Sequence, residues 1–144
     1  MNQSLFDQDY ILWVQENVTK LKAKDFENLD LDNLIEEFES LIYILKRDLD
    51  DALKNLLVNM LKRLYVPLSN QFERWLSDIS FYRCGIEHIF RDAPSLKEDW
   101  DERFDFNYSS ALYALSADYP DTNFPEAWEF ERDIEAILHK RFWK

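Results

Sequence analysis

The sequence predicts an all-α protein, a single-domain bundle of about five helices spanning residues 1–144. Three observations carry that expectation. The 37 residues from Leu29 to Tyr65 contain no Gly and no Pro, and apolar residues recur through them at helical spacing. The whole chain has one Gly and four Pro, too few for the tight turns of an all-β fold. Hydrophobic residues make up 47% and aromatic residues 16% of the 144, which provides a substantial core and argues against disorder.

The first helix is expected over about residues 7–22. Ile11, Val14, Val18 and Leu21 form an apolar stripe with Tyr10 and Trp13 beside it. Ser4 or Asp7 is the expected N-cap. A short loop, AKDFENLD, should tuck Phe26 and Leu29 inward. The long central helix follows. Asp30 or Asp32 can cap it, and Glu36 and Glu37 suit the positive end of its dipole. One apolar face runs from Leu31 through Leu34, Phe38, Leu45, Leu49, Leu56 and Met60 to Leu64. At ~1.5 Å per residue the segment would be roughly 50 Å long. A bend, if there is one, is expected near Lys46–Asp51, although an Asp50–Lys54 pair favours continuation. Lys62 and Arg63, followed by Pro67, close the helix.

Asn70 and Glu73 have capping-box form. Beyond them, Phe72, Trp75, Leu76, Ile79, Tyr82, Ile86, Ile89 and Phe90 mark a helical face. Gly85 inside it reads as a point of close packing or, alternatively, a kink. Asp92-Ala93-Pro94 stops this helix, and Ser95 to Glu98 is a second capping box. Leu96, Trp100, Phe104, Tyr108, Ala111, Leu112 and Leu115 carry the next helix to about Ala117. After a loop with two prolines, Pro125 suits the first turn of a last helix lined by Trp128, Ile134, Ile137, Leu138 and Phe142.

The 29 acidic and 17 basic residues give a formal charge of −12. Such a surface repels phosphate backbones and anionic lipids, so direct nucleic-acid binding is not expected. There is no run of the ~20 apolar residues that a membrane span needs and no signal peptide, and a cytoplasmic location is expected. Cys84 is the only cysteine, which excludes an intramolecular disulfide. It reads as a small core thiol; catalysis would need a base such as His88, four residues on.

Other chemistry is weakly signalled. The carboxylates Asp30, Asp32, Glu36, Glu37 and Glu39 would suit a divalent cation, and a metal-dependent hydrolase using them with His88 or His139 is the alternative function. The plainer reading is a solvated helix start. Glu135 and His139 stand at ligand spacing without an accompanying HExxH. With Gly85 alone, no nucleophile elbow and no phosphate loop is possible. Tyr65, Trp75 and Arg83 would form an aromatic–cationic surface if they converge; otherwise Arg83 lies over the core edge and pairs with a carboxylate. The terminal HKRFWK is either a docking patch or favourable charge at a helix C-terminus.

Read in order, Asp9-Tyr10-x-x-Trp13, Phe26-x-x-Leu29-Asp30-x-x-Asn33-Leu34-x-Glu36-Glu37-x-Glu39-Ser40, Leu56-Leu57, Leu61-Lys62 and Tyr65-x-Pro67 form a recognisable set. Trp75-x-x-x-Ile79-x-x-x-Arg83-x-x-Ile86, Pro94-Ser95-Leu96 and Phe124-Pro125 complete it. In these residues the chain resembles family 29 of the bacterial, largely cyanobacterial, domains of unknown function. The resemblance implies an all-helical domain and supplies no activity, cofactor or catalytic residue. The chain departs from the pattern around Leu41 to Lys46 and at Asn59, where the family often has His.

The expected function is a non-enzymatic protein-interaction module with no cofactor. Its partner is a protein, a basic target of an antitoxin-like inhibitor being one form. Self-association is also expected, because the aromatic content exceeds what so small a domain buries. The candidate surface comprises Asn33, Glu36, Glu37, Tyr65, Trp75 and Arg83.

Overall fold

The structure is a computed structural model that describes residues 4–144. It is all-α, as the sequence predicts, with no strand among the described residues. Among those residues six α-helices follow one another: α1 (Leu5–Gln8), α2 (Tyr10–Lys22), α3 (Leu31–Tyr65), α4 (Phe72–Asp92), α5 (Trp100–Asp118) and α6 (Ile134–His139). Two short 3-10 turns, Ser69–Gln71 and Pro94–Asp99, precede α4 and α5. The chain forms two compact units, residues 1–44 and residues 45–144.

The first unit contains α1, α2 and the N-terminal part of α3. Ser4 caps α1, its side chain accepting from the Asp7 N–H. The helix expected from residue 7 is interrupted at Asp9, which is extended (φ −152°, ψ 94°) and caps α2 by accepting from the Leu12 N–H at 3.0 Å. α2 ends in a Schellman motif. The Lys24 N–H donates to the Leu21 carbonyl and the Asp25 N–H to the Lys20 carbonyl. Lys24 holds the left-handed position with φ 57°. The expected inward stripe of α2 is largely outside: Ile11, Val18 and Leu21 are exposed, and Trp13 and Asn17 are buried instead. Phe26 is exposed, not tucked inward.

The second unit holds the core. Leu49, Leu53, Leu56, Leu57, Met60 and Leu61 of α3 are buried with Ile79, Ile86 and Phe90 of α4. Trp100, Phe104, Tyr108, Ala111 and Leu115 of α5, and Ile137 and Leu138 of α6, complete it. Asp50, expected to pair with Lys54, instead receives Arg103 (2.8 Å) and Asn107 (2.9 Å) of α5. α3 is helical without interruption through Lys46–Asp51.

Both capping boxes are corrected. The 3-10 turns occupy those positions, and neither α4 nor α5 has a side-chain cap at its first turn. Gly85 is exposed, and a Cβ there would meet nothing within 4 Å, so close packing does not explain it. α4 remains helical through it. The last helix is only six residues long. Residues 124–133 are non-helical and are tied to α5 by side chains: Tyr108 donates to the Pro125 carbonyl (2.6 Å) and Trp100 to that of Arg132 (2.8 Å). Those bonds offer the non-helical backbone partners that a helix would otherwise supply.

Candidate interaction surface

The acidic start of α3 is built into the first unit by a polar clamp. The Asp30 carboxylate accepts from Trp13 Nε1 and from Asn33 Nδ2, each at 2.8 Å. Asn17 accepts from the Asp30 N–H (3.1 Å) while its Nδ2 donates to the Trp13 carbonyl (2.9 Å). Asn33 and Trp13 together hold the Asp30 carboxyl below the usual carboxylate range, with Lys20 adding a smaller pull. The Tyr10 hydroxyl donates to Glu37, and that bond, before burial, raises the Tyr10 pKa. Two of the three expected site residues here thus have a structural explanation. Asn33 orients Asp30, and Glu37 anchors Tyr10. Glu36 is exposed, and its backbone carbonyl accepts from Ser40.

Tyr65, Trp75 and Arg83 lie in the second unit, each with its own neighbours. Trp75 is 3% exposed, so it belongs to the core and presents no free face. Phe72 lies 5.9 Å from it, and Lys62 Nζ stands 5.3 Å from its centroid. Tyr65 meets Phe124 edge-on at 6.3 Å. Arg83 donates from Nε to the Ile137 carbonyl (2.9 Å) and from its terminal nitrogen to that of Lys140. Its partners are therefore carbonyls at the end of α6, not the expected carboxylate. The terminal segment is folded down in the same way: Phe142 and Trp143 pack on the core, and Arg63 donates to the Lys144 carbonyl.

The reactive candidates are dispersed. Cys84 is exposed, not a core thiol. His88 faces Asp92 at 3.7 Å on the open side of α4. His139 pairs with Glu87 at 3.0 Å and stands 3.9 Å from Glu135. Among the described residues, no group of three or more His, Cys, Asp or Glu side chains is placed to hold a metal ion. The carboxylates around Glu36 and Glu37 do not gather into such a group either.

What the first unit does offer is apolar surface. A groove of about 260 Å³ runs between α2 and α3, lined by Val14, Val18, Leu21, Leu34, Phe38 and Leu41, with Tyr10, Trp13, Asn17 and Glu37 at its polar edge. Of the 19 large apolar side chains that are exposed among the described residues, 13 lie in residues 1–44. That concentration was not legible in the sequence. Ile11, Val18, Leu31, Ile35, Phe38 and Ile42 have the helical spacing of core residues, and no sequence signal marks them as uncovered.

Fold and surface thus define a class: an all-helical protein with an aromatic core in one unit and an apolar helical hairpin in the other. The family model for the domain of unknown function DUF29 matches residues 5–143, and the chain belongs to that family. No curated protein and no solved structure matches it. The matched range includes the residues of the polar clamp, Trp13, Asn17, Asp30 and Asn33. No helix of the described residues is long and apolar enough to cross a membrane.

Proposed function

We propose that this chain is a non-enzymatic protein-interaction module, with residues 45–144 as the packed scaffold and the α2–α3 hairpin as the surface presented to another protein. One observation carries the reading: the hairpin unit, with less than a third of the chain, holds 13 of the 19 exposed large apolar side chains. Monomeric soluble proteins rarely leave such a concentration uncovered. The ridge Leu31, Ile35, Phe38 and Ile42 and the neighbouring groove have the form that receives a helix by its apolar stripe. The metal-dependent hydrolase is not supported, because the described residues contain no metal-binding cluster. A cytoplasmic setting fits an acidic chain with a single exposed thiol.

The test compares chemical cross-linking of the wild-type chain and Ile35→Glu in lysate, followed by mass spectrometry. Cross-linked protein species, including any formed with a second copy, should map to residues 10–44 and be lost in the variant. Cross-links unchanged by Ile35→Glu, or no cross-linked species at all, would contradict the reading.

A further inference from the structure

We propose that the protein covering the hairpin is a second copy of this chain, the two α2–α3 hairpins packing as a four-helix bundle; this rests on the interaction-module reading and names its partner. The first argument is incompleteness. Among its described residues the hairpin unit buries only Trp13 and Asn17. Two helices with so small a core do not gain enough from burial to offset the entropy of ordering them.

The second argument is the form of the exposed ridge. Leu31, Ile35, Phe38 and Ile42 succeed one another at spacings of four, three and four, which is the alternation of a helix–helix seam. Both β-branched residues, Ile35 and Ile42, fall at one seam position, and Leu31 and Phe38 at the other. Each is more than half exposed, Phe38 by 66%. The groove lies beside this ridge on the same hairpin. Knobs and holes therefore occur on one surface, which is what a two-fold, self-complementary contact requires.

Area points the same way. The eight exposed apolar side chains of the ridge and groove, each roughly half exposed, leave on the order of 800 Å² of surface, which matches the ~800 Å² per partner of a standard interface. Charge opposes the contact: residues 1–44 carry ten acidic and three basic side chains, so the pairing should tighten as added salt screens them.

The experiment is sedimentation equilibrium of the full chain up to about 100 µM, with hydrogen exchange on the same samples. The wild type should sediment at twice its 17.5 kDa. Ile42→Glu, a change at a 57% exposed position, should be monomeric with helical circular dichroism retained. Tyr113→Glu, at an 82% exposed position of the second unit, should remain dimeric. A dimer that survives Ile42→Glu overturns the proposal. A wild-type monomer overturns it too, and exchange then separates the causes. Rapid exchange in residues 10–44 overturns the second copy alone, whereas strong protection there in a monomer overturns the interaction-module reading as well.

Discussion

Lys24 occupies the C′ position of the Schellman motif that ends α2, with φ 57°. A residue with a Cβ costs about 1 kcal/mol there, and Gly removes most of that cost. Lys24→Gly should therefore stabilise the first unit by roughly 1 kcal/mol, read as slower hydrogen exchange across α2. No gain would mean that contacts of the lysine stem offset the strain. Tyr108 gives a pH dependence. Burial, then Tyr65 and Glu129, push its hydroxyl up to about 12, while the unfolded chain titrates at about 10. The folded state holds the proton more tightly, so this stability is complete below pH ~10 and lost as pH rises through ~12. Alkaline unfolding followed by tyrosine absorbance should shift to higher pH in Tyr108→Phe. Asp30 has the opposite sign. Its lowered pKa contributes stability at neutral pH that is lost as pH falls through the acid range.

At the scale of elements, α3 was the most legible part of the chain. Its length, its lack of Gly and Pro and the closing Lys62 and Arg63 all matched the helix from Leu31 to Tyr65. Periodicity could not show which apolar residues were covered. Leu53 and Ile42 have equal claims by spacing, yet Leu53 is fully buried and Ile42 is exposed, because burial depends on which helices come alongside. The last helix is shorter than the sequence suggests, for a related reason. Pro125 and the apolar positions after it suggest a helix, but Tyr108 and Trp100 bind the backbone of 125–132 by tertiary hydrogen bonds. By sequence Asp50 pairs locally with Lys54, and nothing in the sequence marks its tertiary role. Its carboxylate joins α3 to Arg103 and Asn107 of α5, both mostly removed from solvent. Asp50→Ala leaves those donors without their acceptor and should cost roughly 2–3 kcal/mol in urea unfolding, with Asp50→Asn losing less. A change below about 0.5 kcal/mol would show that the pair behaves as a surface ion pair.

At the scale of the molecule, composition indicated an acidic helical protein with more aromatic and apolar surface than its size can bury, and the structure locates much of that excess in the first unit. The expected site was legible only in part. Asn33 and Glu37 are engaged, but as members of the clamp that fixes α2 against the start of α3. Trp75 and Arg83 serve the core and the end of α6. The most direct measurement is hydrogen exchange of the full chain at low and high concentration. Amides of α2 and of residues 31–44 should gain protection as concentration rises, while those of residues 49–61 stay the same. Protection of residues 10–44 that is high and independent of concentration would contradict this prediction.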